Sequence, residues 1–358
     1  MSPFHHHTLP PELWLEIFAH LDERSYTGIY TPFQPPAGDG DVRSVYAAVV
    51  LVCRNWHAWA ISFLYRNVKF VDTVWVREHP EYGQWVRRVV IPNSPATETI
   101  GHVSATEMLC ICPNVTVLVR RRGQRVKLDA ACPLPSLKRL EWLNYGRVEA
   151  DDINALQVVC AAPNLQYLVL SSSLSWHTPK QMTLHSLRTL HLGIVSFDLL
   201  RWVSQWSLPA LNTLIMDVPL NRSLMWPTHG PSLETLELGK RHGFLHARYL
   251  TYYLQGCPAL RQLNYYLFTT NLPTADAGTY ASVTSVRIHM APDSELSQEE
   301  SRWGHLEDHI LTLAGGLFPN LLQLTFYESS EQMLSDERFA VMLKPLTDRG
   351  CALQIVAA

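Results

Sequence analysis

No stretch of this sequence is apolar for long enough to cross a bilayer. The longest apolar run, residues 45–53, is nine residues long, against the roughly 20 that a membrane helix needs. Charge is also scarce. Only 17% of the 358 residues are Asp, Glu, Lys or Arg, and the formal net charge is −3. That balance argues against a nucleic-acid partner, because neutralising phosphates requires a basic surface. The local exception, Arg120, Arg121, Arg122 and Arg125, reads as an edge loop before it reads as a patch for an acidic partner. The opening MSPFHHHTLPPELW lacks a basic segment ahead of an apolar one, so it is not read as a secretory signal.

Cysteine is sparse and unpatterned. The seven residues Cys53, Cys110, Cys112, Cys132, Cys160, Cys257 and Cys351 are odd in number and mostly set among apolar neighbours. They suit reduced, buried thiols of the cytosol or nucleus better than a disulfide framework. The triplets Asn114-Val115-Thr116 and Asn221-Arg222-Ser223 have the form of glycosylation acceptors and point the other way. They are discounted because such triplets are common by chance and Val115 falls at an expected core position.

Motifs of catalysis are missing too. There is no phosphate-cradling glycine loop and no nucleophile elbow. Cys110-Ile111-Cys112 has no second pair or nearby His, which favours structural thiols. His5, His6 and His7 stand in a terminal tail. His305 and His309 are four apart on a helix expected over 298–314, but Leu306 stands where a zinc protease needs Glu and no third ligand is evident. Both are expected to be exposed helix histidines. No cofactor, metal or catalytic residue is expected, and the chain is not read as an enzyme.

What is present is a repeat. Apolar residues make up 47% of the chain, enough for a large core. A phrase of the form Pro-small-Leu-x-x-Leu-x-Leu recurs as PSLKRLEW (135–142), PNLQYLVL (163–170), HSLRTLHL (185–192), PALNTLIM (209–216), PSLETLEL (231–238), PALRQLNY (258–265), ASVTSVRI (281–288) and PNLLQLTF (319–326). Weaker copies stand at 85–91, 113–119 and 352–356. The first apolar positions are Val86, Val115, Leu137, Leu165, Leu187, Leu211, Leu233, Leu260, Val283, Leu321 and Leu353, at intervals of 22 to 38 residues. The last two apolar residues of each phrase are two apart, so they point to one face of a short strand. One such unit cannot bury its apolar face alone, and only a stacked array is stable. Helices are expected after Asp151, over 198–206 and 246–255, and from the Ser297–Glu300 capping box toward Gly315. The 22-residue intervals are expected to return as extended loops.

This phrase and spacing resemble leucine-rich repeats, over about three-quarters of the chain. The resemblance implies an α/β solenoid, an irregular leucine-rich-repeat horseshoe with a parallel sheet. Ser173, Val195 and Arg241 replace the family's usual Asn, so its asparagine ladder is not expected. Residues facing away from the leucines would form a concave, target-binding face, with Arg139, Glu141, Tyr167, His191, Glu237, Asn264 and Arg287 as its candidates.

The N-terminal part carries a second resemblance. Leu9-Pro10, Glu12-Leu13, Ile17-Phe18, Leu21-Asp22, Val52-Cys53-Arg54-Asn55-Trp56 and Leu64-Tyr65 stand in the order and content of an F-box. The segment departs from that family in an expanded linker, 22–41, rich in Pro and Gly. The expected organisation is a tail (1–8), a small three-helix F-box module (9–70, insertion 22–41) and a solenoid (71–358). Leu13, Trp14, Ile17, Phe18 and Leu21 are expected to form one apolar stripe. The resemblance implies docking on a Skp-family adaptor, and through it a cullin. Leu9, Pro10, Leu13, Ile17, Trp56 and Leu64 would be divided between adaptor contact and internal core, Trp56 leaning to the core and Pro10 and Leu13 to contact.

The implied function is target recognition for a cullin-based ubiquitin ligase, in the cytoplasm or nucleus, with an unidentified protein target and no membrane. The alternatives are a non-ligase interaction scaffold and, from another class, an unrecognised enzyme.

Overall fold

A computed structural model describes residues 9–20, 30–33, 42–69, 77–91, 105–120, 133–144, 158–172, 181–219, 225–240, 244–273, 278–290, 299–327 and 336–356. The tail at 1–8, Leu21, Cys132, Ser173, Arg241 and the arginines 121–125 lie outside them, as does most of the helix expected after Asp151. Two compact units divide the chain, one of Met1–Ile29 with Pro35–Leu168, the other of Tyr30–Gln34 with Val169–Ala358.

The first unit opens with helices α1 (Pro11–His20), α2 (Val42–Val50) and α3 (Arg54–Leu64). Proline starts α1, where its missing N–H costs nothing. At α3, Cys53 is the N-cap, its Sγ accepting from the Trp56 N–H at 3.5 Å. The helices close around Phe18, Tyr46, Val50 and Ala60. Phe18 and Trp56 meet edge to face at 5.4 Å, and the Tyr46 hydroxyl donates to the Phe18 carbonyl at 2.7 Å. Strands β1 (Asn67–Lys69), β2 (Arg88–Ile91), β3 (Val117–Arg120), β4 (Arg139–Asn144) and the start of β5 (Tyr167–Ser172) follow, with α4 (Ala105–Ile111) between β2 and β3.

The second unit holds β6 (Thr189–Val195), α5 (Phe197–Val203), β7 (Thr213–Met216), β8 (Thr235–Leu238), α6 (Ala247–Gly256), β9 (Gln262–Tyr266), β10 (Ser285–His289), α7 (Glu299–Ala314), β11 (Gln323–Tyr327), α8 (Glu337–Asp348) and β12 (Ala352–Val356). The twelve strands hydrogen-bond in sequence order. Parallel neighbours need a crossover between them, and α5, α6, α7 and α8 supply it from β6 to β7, β8 to β9, β10 to β11 and β11 to β12. This twelve-stranded parallel sheet with helices accords with the α/β solenoid expected from the sequence.

The recurring phrase has a hydrogen-bonding reason. In six of the phrases the first apolar residue closes a four-residue turn: the Leu137 N–H donates to Leu134 O, Leu165 to Ala162, Leu211 to Leu208, Leu233 to Gly230, Leu260 to Cys257 and Leu321 to Phe318. Proline, with φ already set, occupies the second position of each of these turns. The residue before it is buried every time. One carbonyl then ties each repeat to the next. Arg188 O accepts from the Asn212 and Thr213 N–H groups, Asn212 O from Glu234 and Thr235, Glu234 O from Arg261 and Gln262, and Arg261 O from Thr284 and Ser285. Of the eleven first apolar residues, only Leu353 is not buried, which fits its place on the last strand.

Candidate functional site

In the first unit, α1 divides its apolar residues between two faces. Trp14 and Phe18 pack inward, with Trp14 4.7 Å from Trp56 and 6.0 Å from Phe18. Leu9, Leu13, Leu15 and Ile17 are exposed, Leu13 at 44% and Ile17 at 41%. The single stripe expected from the sequence is therefore split. Residues 13 and 14 are 100° apart on a helix, too far to share one contact line. Pro10 is exposed as well, whereas Trp56 and Leu64 are half-buried against the cluster.

The most exposed large apolar side chains described in the first unit were missed in the sequence. Leu51 and Val52, between α2 and α3, stand 82% and 60% exposed. The signal available was the unbroken run Val49-Val50-Leu51-Val52, longer than one helical face can bury. A completed core beside several exposed large apolar side chains is the mark of a surface that takes a partner.

The sheet face opposite the leucines differs from expectation. Its candidates for a target-binding face, Arg139, Glu141, Tyr167, His191, Glu237 and Asn264, are all buried, and Arg287 is half-buried. Alternation along the strand places them correctly on that face but says nothing of what lies against it. In the first unit, Arg139 Nε donates to Glu141 Oε1 at 2.7 Å and its guanidinium lies 4.0 Å from the Tyr167 ring. The buried charges compensate each other, as burial demands.

In the second unit a cover is visible. Residues 30–33, from the middle of the linker 22–41, rest on β8 to β11. The Tyr30 hydroxyl donates to Glu237 Oε2 at 2.5 Å, and the Phe33 N–H donates to the same oxygen at 3.1 Å. Asn264 Nδ2 donates to Glu237 Oε2 at 3.2 Å and also to the Tyr30 oxygen. Burial pushes the Glu237 carboxyl up from its usual range, with these hydrogen bonds and the nearby His191 acting against it. The Phe33 ring stands edge-on to Tyr266, His289 and Tyr327 at 5.3, 5.0 and 5.1 Å. Among the described residues Phe33 is the one non-glycine with positive φ, at 57°. A bulky side chain held there stores strain of about 1–3 kcal/mol.

Register makes these partners two rows. Glu237 pairs with Asn264, Asn264 with Arg287, and Arg287 with Thr325. Two residues further along each strand, Tyr266 pairs with His289 and His289 with Tyr327. Beyond Asn264 the first row is not satisfied. Arg287 Nε, Thr325 Oγ1 and the neighbouring Ser285 Oγ are buried with no hydrogen-bond partner among the described residues. On β6, His191 Nε2 lies 3.0 Å from Asp217 Oδ1.

The two helix histidines, expected to be exposed, are not: His305 is half-buried and His309 buried. His309 is buried, its Nδ1 3.0 Å from the Tyr265 hydroxyl, and burial pushes it down to about 3. His305 Nε2 lies 2.8 Å from the Leu267 carbonyl. Among the described residues no three His, Cys, Asp or Glu side chains cluster to hold a metal, and no helix is long and apolar enough to cross a membrane.

No curated protein matches the chain. Residues 6–71 match the family model described as F-box-like, which spans α1, α2, α3 and β1. The N-terminal segment is thus an F-box-like domain, a protein-interaction module of a kind that generally binds Skp-family adaptors.

Proposed function

We propose that the chain is a substrate receptor of a cullin-based ubiquitin ligase. The surface carrying Leu9, Pro10, Leu13, Ile17, Leu51 and Val52 docks on a Skp-family adaptor, which recruits the cullin. The leucine-rich-repeat-like sheet holds a target protein, in the cytoplasm or nucleus. The chain performs no bond chemistry itself, because the acceptor lysine belongs to the target and the transfer to other subunits. The observation that carries this reading is the number of large apolar side chains left outside a finished core in the segment matching the F-box-like model.

Co-expression with a Skp-family adaptor, followed by gel filtration, tests it. The full chain is expected to elute as a one-to-one complex, and the variant Pro10→Ala/Leu13→Ala is expected to lose it. Failure of a folded chain to bind the adaptor sinks the receptor reading. A complex that excludes the cullin supports instead a non-ligase scaffold, a reading favoured by the linker residues committed to the second unit.

A further inference from the structure

The contact of residues 30–33 with the sheet has the form of a bound peptide. Two aromatic anchors three residues apart in sequence reach two separate sub-sites, one polar and one aromatic, as in other recognition of short segments by a preformed face. Phe33 adopts a backbone conformation that its own preferences oppose, so the aromatic cage of Tyr266, His289 and Tyr327 holds it there. Polar groups beside the occupant are left without partners as well. Buried groups in a finished core are satisfied, yet Arg287 Nε and Thr325 Oγ1, further along the first row, and the neighbouring Ser285 Oγ have no hydrogen-bond partner among the described residues.

We propose that the β8–β11 face is a peptide-binding groove for a protein segment of the form Tyr-x-x-Phe, and that Tyr30-Thr31-Pro32-Phe33 is an intramolecular occupant which a target displaces. The inference deepens the reading of the sheet as a target surface and rests on it. The polar sub-site selects an unmodified tyrosine. Its oxygen sits 2.5 Å from the Glu237 carboxyl and within reach of Asn264, where a phosphate would set acceptor oxygens against the carboxyl in place of the hydroxyl that donates to it. Self-occupancy lowers apparent affinity by the fraction of open groove, so removing the occupant raises it.

The test is fluorescence polarisation with a labelled peptide of residues 28–35, measured on the full chain and on Tyr30→Ala/Phe33→Ala, without adaptor. The double variant is expected to bind at least about tenfold more tightly than the native chain. Adding His289→Ala is expected to weaken that binding, and the phosphotyrosine form of the peptide is expected not to bind. A folded double variant that ignores the peptide, binds it no better than the native chain does, or accepts the phosphorylated form overturns the proposal. Should the double variant lose its cooperative melt, Phe33→Ala alone carries the same comparison. In the native chain, excess peptide must then speed hydrogen exchange at residues 30–33, and unchanged exchange overturns the proposal. Because adaptor is absent, failure here leaves the docking of α1 untouched, and failure of docking leaves the groove intact.

Discussion

At the scale of single residues, the sheet face is governed by how buried polar groups find partners. Glu237 is held by three donors, the Tyr30 hydroxyl, the Phe33 N–H and the Asn264 amide. Burial raises its carboxyl above the ordinary value of 4.5, so the native state takes up a proton there. The stability tied to that proton is full below the ordinary value and is lost as pH rises toward the raised one. Glu237→Gln keeps an acceptor oxygen for all three donors without a charge to bury. Its melting temperature relative to the native chain is expected to rise between about pH 5 and pH 8, read by thermal melts across that range. A difference that stays flat would show an unperturbed carboxyl. The sequence placed Glu237 and Asn264 on the right face, since alternation is local. It did not show Tyr30 as their partner, because that contact joins residues more than 200 apart in the chain.

At the scale of elements, α1 has two jobs, and its residues separate by them. Phe18 is closed in by Trp14, Trp56 and Phe63, and Phe18→Ala is expected to cost about 3–5 kcal/mol through lost burial and a cavity. Leu13→Ala/Ile17→Ala removes side chains already in contact with water, and is expected to change stability by about 1 kcal/mol or less while abolishing adaptor binding. Denaturant melts of the full chain set against gel filtration separate the two effects. A large loss of stability in the Leu13/Ile17 variant would place those side chains in the core. The Pro-small-Leu phrase is the most legible element of all. Its turn is closed within four residues, so the sequence contains everything that fixes it.

At the scale of the whole molecule, repetition distributes the core over many equivalent positions. Cys112 and Cys257 occupy the place before the turn proline, and burial pushes both thiols up to about 12. Cys110 and Cys160 are exposed. With a thiol reagent at about pH 8, where an ordinary thiol is partly ionised, Cys110 and Cys160 are expected to be modified in the native chain. Cys112 and Cys257 are expected to react only once denaturant unfolds it, as peptide mass spectrometry would show. Rapid native labelling of Cys257 would mean that its repeat opens readily.

The sequence by itself determined the parts whose causes are local: the short strands, their alternation, the proline turns, the helices of the longer intervals and the order of the F-box-like motifs. Each rests on neighbours within a few residues or on a pattern repeated along the chain. Tertiary structure alone decided which side of α1 stays in water, that Leu51 and Val52 stand exposed, that His309 is buried against Tyr265, and that linker residues 30–33 lie on the sheet. These depend on which distant surface arrives against a residue, and periodicity assigns a side chain to a face without saying what covers that face.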